Sequence, residues 1–464
     1  MNDPQSPAYI PETGALASEK ASKGKVVSWA FWDWATQPFA TVITTFVFAV
    51  YLVSDAFVPE GGDPNEPAIK LAWATAIAGL FIALLAPVLG QGSDRHGKRM
   101  FNLRWQTWLL AAICAAMYFV KPAPEFFLLG AVLLGLGNVV AEIANVNYYA
   151  AIDQVSTPRN VGRVSGFGWG MGYLGGIMIL LVIIGAFGSD LGSDGVRMGM
   201  IICGAWTLIF SIPIFRAIKD RKPEHAPQSL GIIGSYKALF ASIRGLWHNA
   251  RNTLFFLIAS ALFRDGLAGV FAFGGVLAGT VFGFEFGEVI IFGVVANVVA
   301  GVATMLFGLL DDRVGPKQVI LFSLACLIAL GLAIFFVARH LIENNLMDEH
   351  GVMTFWILGL LMCIFVGPAQ SASRSFLARL IPEGMSGEIF GLYATTGRTV
   401  SFLSPFMFGV FVTMGVAVTS AAEDSAAAQY WGILGIVLVL VVGFVLALLV
   451  KSPPRDNRVL DHSH

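Results

Sequence analysis

The chain has 464 residues, of which 56% are hydrophobic and only 13% are charged, and its mean hydropathy is +0.73. This composition excludes an ordinary soluble domain and indicates an integral membrane protein. The formal net charge is −1, and we expect no nucleic-acid partner. The sequence has no HExxH, GxSxG or zinc-ligand spacing, so we expect no enzyme activity, metal or cofactor.

Twelve windows are apolar enough to cross a bilayer, which takes about 20 residues. In chain order they cover residues 28–53, 68–90, 101–120, 126–150, 165–187, 197–215, 252–281, 286–310, 319–337, 353–378, 387–414 and 429–450. Most of the 29 lysines and arginines fall on the side that holds both termini. The positive-inside rule therefore predicts cytoplasmic termini. The apolar windows predict an all-α membrane protein, which we expect in the cytoplasmic (inner) membrane.

The spans divide into two groups of six. We expect a disordered cytoplasmic lead (1–24), a first six-helix bundle (25–217), a cytoplasmic linker with an amphipathic helix (218–251), a second bundle (252–451) and a tail (452–464). Gly162 and Gly166 match Gly387 and Gly391 at a constant offset in chain number, 225. This repeat predicts two pseudo-symmetric bundles.

A ten-residue pattern occurs once in each half. GQGSDRHGKR runs from Gly90 to Arg99 after the second span, and GLLDDRVGPK runs from Gly308 to Lys317 after the eighth. Both copies have the order glycine, three residues, Asp-Arg, one residue, glycine, one residue and a basic residue. One alternative is that these charges only mark the topology.

The duplicated pattern resembles the loop signature of the major facilitator superfamily. This resemblance implies a cytoplasmic gate, in which Asp94 lies at the start of span eleven near Ser386 and Asp312 at the start of span five near Ser165. Arg95 or Arg313 would add a charge-assisted bond. The residues expected in the gate are Gly90, Asp94, Arg95, Gly97, Arg99, Gly308, Asp312, Arg313 and Gly315.

A narrower likeness covers most of the chain. RVSGFGWGMGYLGG from Arg163, the SRS tripeptide at Ser373 and FGLY at Phe390 are similar to the vacuole-effluxer branch of the superfamily. The resemblance implies twelve helices and export of amino acids. The chain departs from the family pattern at Thr36 and Gln37, and at Arg398, where lysine is usual.

Polar residues inside the spans are candidates for substrate binding or coupling, because ionisable groups there are costly. They are Asp33, Gln37, Glu142, Asn145, Arg264, Asp265, Gln370, Arg374 and Arg398. Asp265, midway along span seven, is the expected proton-coupling carboxylate. The alternatives are a charge-neutralising pair of Arg398 with Asp265 or Asp33, and simple interhelical hydrogen bonds for the amides.

These observations predict a secondary active transporter that moves a small polar solute, such as an amino acid, by alternating access. We expect efflux, protons as the coupling ion and the lipid bilayer as a partner. A sugar or drug transporter on the same fold is one alternative, and a non-transporting receptor or scaffold is another. Trp29, Trp32 and Trp34 are expected to form an interfacial aromatic belt.

Overall fold

A computed structural model describes residues 16–17, 21–64, 66–188, 191–220, 232–420 and 426–452. Every regular element in these ranges is a helix. In the first half these are α1 (Lys23–Pro38), α2 (Phe48–Leu52), α3 (Glu66–His96), α4 (Arg99–Ala116), α5 (Phe127–Ala150), α6 (Val161–Phe187) and α7 (Gly192–Ala217). Short 3₁₀ turns flank several of them, including Ala151–Gln154 after α5.

The linker and the second half supply the remaining helices. They are α8 (Ile232–Asn249), α9 (Arg251–Thr280), α10 (Phe286–Val314), α11 (Pro316–Glu343), α12 (Met347–Leu380), α13 (Ser386–Val400), α14 (Leu403–Thr419), α15 (Ala426–Gln429) and α16 (Gly432–Leu449). The predicted linker helix is therefore present as α8. The predicted terminal segments lie largely outside the described residues.

The predicted all-α membrane architecture is confirmed. Eleven segments of the described chain are long and apolar enough to cross a membrane. The twelfth predicted span is α4, a helix of 18 residues whose first half carries Arg99, Asn102, Arg104 and Gln106. These polar side chains lower its hydropathy, so the twelfth crossing remains a prediction. The cytoplasmic location of the termini also remains a prediction.

Breaks in two of the described spans bear on the candidate site. In span one, α1 ends at Pro38, and a π-helix over Phe39–Phe46 precedes α2. Proline lacks an amide hydrogen and disturbs the regular ladder of backbone bonds, which explains the change of helix type. In span eleven, α13 ends at Val400 and α14 begins at Leu403. The second break leaves the first backbone amides of α14 in need of partners.

The helices cluster into two compact units. Among the described residues, unit 1 comprises 16–17, 21–64, 66–157, 171–188, 191–220, 232–245 and 381–398, and unit 2 comprises 158–170, 246–380, 399–420 and 426–452. Unit 1 has an apolar core that includes Phe48, Leu110 and Ile183. Phe256 and Phe376 pack in unit 2 with ring centroids 4.4 Å apart. Each unit therefore includes a segment from the other half of the sequence, and the predicted division at the linker remains a prediction.

Candidate functional site

Asp94 lies at the start of α13, within unit 1. Its Oδ2 accepts hydrogen bonds from the backbone amides of Gly387, at 2.6 Å, and Glu388, at 3.0 Å. The first amides of a helix have no partner within the helix and carry a partial positive charge, so a carboxylate there is stabilised. The contact that the resemblance implied near Ser386 is present.

Arg99 neutralises Asp94 and joins it to a second acid. Its Nη2 donates to Asp94 at 2.7 Å, and its Nη1 donates to both carboxylate oxygens of Asp153 at 2.9 Å. Asp153 also accepts a bond from the hydroxyl of Ser386. The arginine side chain is 12% exposed and both aspartates are 7% exposed. We call Asp94, Arg99, Asp153 and the start of α13 the first carboxylate network.

Asp312 makes the equivalent contact within unit 2. It accepts bonds from the backbone amides of Gly162, at 2.8 Å, and Arg163, at 3.2 Å, in the first turn of α6. The side-chain Nε of Arg163 donates to the same carboxylate at 2.7 Å. Gly162 and Gly387 are partners in the internal repeat, so both halves use the same backbone position to bind an aspartate.

The cation that joins two acids in this second cluster comes from α12. Arg379 Nη1 donates to Asp311 at 2.8 Å, and its Nη2 lies 3.5 Å from Asp312. Ser375 also donates to Asp311. We call Asp311, Asp312, Arg379, Arg163 and the start of α6 the second carboxylate network.

The expected gate glycines have two different uses. A side chain at Gly90 would collide with the carbonyl oxygen of Gly387, and one at Gly308 would lie 2.8 Å from the carbonyl oxygen of Gly162. Gly97 has φ +61° and Gly315 has φ +100°, a region that glycine adopts without strain. The first pair permits close helix approach, and the second pair forms the turns that follow α3 and α10.

The prediction that Arg95 assists Asp94 was wrong. Arg95 donates to Gln91 on its own helix, at 3.0 Å, and Arg99 binds Asp94 instead. For Asp312, the bonded arginines that the structure gives are Arg163 and Arg379, and the predicted bond from Arg313 stays a prediction.

Arg374 is 1% exposed and lies in unit 2. Its guanidinium donates to Ser165 Oγ at 2.9 Å and to the Ser165 carbonyl at 2.7 Å, and it stacks over the ring of Trp169. These contacts give Arg374 a packing role between α6 and α12. Its predicted role in substrate binding or coupling has no support in this geometry.

Glu142 and Arg398 form an ion pair inside the spans of unit 1. Arg398 Nη2 donates to Glu142 Oε1 at 2.8 Å, and the side chains are 30% and 29% exposed. Glu142 is a partner of Arg398 that neither sequence alternative, Asp265 or Asp33, named. Two unlike charges thus stay partly exposed within apolar helices, where ionisable groups are costly.

The hydroxyl of Tyr148 donates a hydrogen bond to Asp33 Oδ2 at 2.7 Å. The tyrosine ring stacks on Trp29 and Trp32, with centroids 4.5 and 4.3 Å away. Both tryptophans are fully buried, so the predicted aromatic belt is wrong for them. Trp34 stacks on Trp206.

Asp265 lies at the break in span eleven, within unit 2. Its Oδ2 accepts a bond from the backbone amide of Ser404 at 2.7 Å, and Ser404 Oγ donates to the Asp265 carbonyl at 2.9 Å. Asp265 is buried and thereby supplies a partner to the first turn of α14. A third aspartate therefore stabilises a helix start, here in the middle of a span.

The sequence profile of the family described as "Vacuole effluxer Atg22 like" matches residues 70–453. The chain belongs to the vacuole effluxer family. It is similar to the uncharacterized MFS-type transporter YxiO of Bacillus subtilis, with 24% identity over 447 residues that cover 92% of this chain and 94% of YxiO. It is also similar to autophagy-related protein 22-1 of Aspergillus fumigatus, with 27% identity over 266 residues, 53% of this chain and 43% of the fungal protein.

The fold is similar to that of the proton:xylose symporter XylE bound to 6-bromo-6-deoxy-D-glucose. The TM-score is 0.66 with 13% identity, over 93% of this chain and 96% of XylE. At this identity the likeness concerns the fold alone. Together with the family match, it makes the chain a multi-pass transporter of the major facilitator superfamily, not an enzyme, and a small-molecule substrate follows from that.

Three predicted polar residues of this vacuole effluxer have no hydrogen-bond partner for their side chains in the described ranges. They are Gln37, Asn145 and Gln370, all partly exposed. The alternative that these amides form interhelical hydrogen bonds is not supported among the described residues. Arg264 is partly buried and has other interactions.

Sequence reasoning missed several residues of the two networks. Asp153 and Arg379 belong to no recognised motif, whereas Asp311 lies next to Asp312 in the signature itself but was not selected. Asp220 was also missed, and it accepts bonds from the backbone amides of Met100, at 2.6 Å, and Phe101, at 3.1 Å, at the start of α4. A search for acids that follow a span would have selected Asp153 and Asp220.

Proposed function

We propose that this vacuole effluxer exports amino acids, or similar zwitterionic metabolites, across the cytoplasmic membrane by proton-coupled alternating access. The observation that carries the proposal is the ion pair of Glu142 and Arg398. A zwitterion offers an ammonium group to the glutamate and a carboxylate to the arginine, so it can replace each partner with a charge-assisted bond. Efflux is favoured by the family to which the chain belongs.

The two carboxylate networks supply the closing contacts of the proposed cycle. Each aspartate binds backbone amides of a helix that is distant in the sequence, and such bonds exist only while the two helices are adjacent. With cytoplasmic termini, both networks would lie on the cytoplasmic side. The networks would be formed in one state, in which they hold the cytoplasmic side closed, and would be broken in the other state.

Asp265 is the proposed proton site. Its charged form binds the first turn of α14, so protonation would remove the negative charge that favours this contact. The break between α13 and α14 would then respond to the proton. Proton binding and solute binding would both act on span eleven. Asp265 binds the start of α14, and Arg398 is the third-last residue of α13.

The substrate class is tested by counterflow of radiolabelled solutes in proteoliposomes that contain the full-length protein. We expect exchange of amino acids and none of sugars or of cationic drugs. Glu142→Gln should weaken amino-acid binding about 10- to 100-fold, because a hydrogen bond to a charged group contributes about 1.5–3 kcal/mol. Exchange of sugars or drugs alone would contradict the proposal, and binding without any flux would favour the receptor alternative.

A matched control is available in another ion pair. Glu343 pairs with Arg339 on α11, and both side chains are more than half exposed. Glu343→Gln removes the same charge from a position with no proposed role, so its counterflow should equal that of the parent protein. Equal losses in the Glu142 and Glu343 variants would show that the loss reflects damage to the fold and not to the site.

The coupling role of Asp265 is tested by Asp265→Asn. The amide cannot carry a proton at neutral pH, so we expect loss of pH-gradient-driven accumulation with exchange partly retained. The measurement is uptake with and without an imposed pH gradient, with Asp265→Glu as the conservative control. Uptake that keeps its full pH dependence in Asp265→Asn would assign the proton to another group.

A further inference from the structure

The linker helix α8 has one face that no described residue covers. Ile233 and Phe240 are 74% and 69% exposed and lie seven residues apart, which places them on one side of the helix. Lys237 and Arg244 have the same spacing and are also exposed, beside the two apolar side chains. The face therefore presents an apolar strip next to a basic strip.

A membrane surface fits this face in both chemistry and location. Two large apolar side chains are unfavourable in water, and the two cations complement anionic headgroups. The helix connects two membrane spans, since α7 ends at Ala217 and α9 begins at Arg251. Apolar side chains in the acyl boundary with lysine and arginine at the headgroups are typical of an interfacial helix.

Two side chains of α8 reach the two helices that the first carboxylate network joins. The hydroxyl of Tyr236 donates to the carbonyl of Leu84 in α3 at 3.0 Å. The side chain of Ser242 lies near the carboxylate of Glu388 in α13. Glu388 is the residue whose amide binds Asp94, and its Oε1 is buried without a partner among the described residues. A shift of α8 would therefore be transmitted to the first network.

We propose that α8 binds anionic phospholipid and that this binding stabilises the state in which the first carboxylate network is formed. The lipid is the effector and the network is the two-state element on which it acts. The proposal rests on the closing role given to the network under the proposed function, but it does not depend on the substrate.

The test measures the network directly in vesicles. Spin labels at His96→Cys and Glu383→Cys, in a background without the four native cysteines, report the distance between the ends of α3 and α13. The protein is compared in phosphatidylcholine and in phosphatidylcholine with phosphatidylglycerol. We expect the anionic vesicles to increase the short-distance population up to about thirtyfold relative to the long one, since two cations near such a surface contribute about 1 kcal/mol each.

Charge-matched variants separate the lipid site from overall charge. Lys237→Gln with Arg244→Gln should abolish the lipid response. Lys23→Gln with Lys25→Gln removes the same charge from exposed positions at the start of α1 and should leave the response unchanged. An unchanged response in the α8 variant, or identical distances of the parent protein in the two vesicles, would overturn the proposal.

A third variant separates lipid binding from its transmission. Ser242→Ala should leave α8 at the membrane surface but weaken the lipid response of the network. A spin label at Ala241→Cys, read by its accessibility to oxygen and to a water-soluble nickel complex, reports whether α8 lies in the interface. Full water accessibility in anionic vesicles would overturn the proposal. So would protection that rises with protein concentration in detergent, because that result would assign the face to a second copy of the chain.

The distance measurement needs no solute. A transporter that fails the amino-acid counterflow test can still show the lipid response, and one that passes can lack it. The two proposals therefore fail separately.

Discussion

The first and second carboxylate networks bind a helix start in the same way but obtain their other members from different places. Asp94 and Asp312 both accept bonds from two consecutive amides that begin with a glycine. In the first network the arginine belongs to the signature, and the second acid, Asp153, comes from another helix end. In the second network the second acid belongs to the signature, and Arg379 comes from another helix.

The basic residue that ends each signature explains the difference. Arg99 binds two aspartates, whereas Lys317, at the equivalent position, donates to the carbonyls of Leu448 and Val450 at the end of α16. Lysine is a compact charge without the planar fork of arginine, so it is suited to carbonyls at a helix end and less suited to two carboxylates. The duplicated feature is therefore the aspartate on the helix start, and the cation is supplied separately in each half.

The largest expected difference between the networks follows loss of the central arginine. Arg99→Gln leaves Asp94 and Asp153 buried without a cation, which should cost about 3–5 kcal/mol. Arg379→Gln should cost less, because Asp312 keeps Arg163. Thermal unfolding of the purified variants in one detergent measures both. Equal losses would contradict the view that the second network has a spare cation.

A smaller effect is expected from a methyl group at the glycine of each signature. Gly90→Ala would force α3 away from the start of α13 and should cost about 1–3 kcal/mol, the usual range for overpacking. Gly308→Ala should cost less, because its contact is looser. Gly92→Ala is the control, since an added Cβ there meets nothing within 4 Å. Equal unfolding midpoints for Gly90→Ala and Gly92→Ala would contradict the role of Gly90 in close helix approach.

The smallest effect is expected at Arg163, whose side chain is 48% exposed. An exposed ion pair contributes about 0–1 kcal/mol and is screened by salt. Arg163→Gln should therefore lower stability slightly at low salt and have almost no effect at high salt. Thermal unfolding at two salt concentrations checks this. A loss as large as that of Arg379→Gln would make Arg163 the main cation of the second network.

The helix starts that Asp94 and Asp312 bind were implied by the resemblance of the duplicated signature to that of the major facilitator superfamily. The signature was not sufficient to predict the cations. Arg95 follows Asp94 directly, but consecutive residues of a helix point about 100° apart, and the arginine five residues from Asp94 reaches the carboxylate instead. Arg379 is 67 residues from Asp312 and has no local pattern that connects the two.

The intramembrane residues divide in the same manner. Burial and polarity predicted that Asp33, Glu142, Asp265 and Arg398 need partners, and the structure gives each of them one. The partners were not predictable, since Tyr148 and Ser404 are common residue types with no special spacing. The buried tryptophans illustrate the same limit, because a tryptophan-rich helix end faces lipid or protein according to the rotation of the helix.

Amino-acid order alone is enough to establish that the chain spans a membrane, where its apolar segments lie and that its two halves share a duplicated signature, while the resemblance of that signature implied the roles of Asp94 and Asp312. These properties depend on local composition and on spacing along the chain. Tertiary packing decides the arginine that serves each aspartate, the pairing of Glu142 with Arg398 and the binding of Asp265 to the broken span. Those contacts depend on the rotation and register of whole helices, which the fit of many distant side chains sets together.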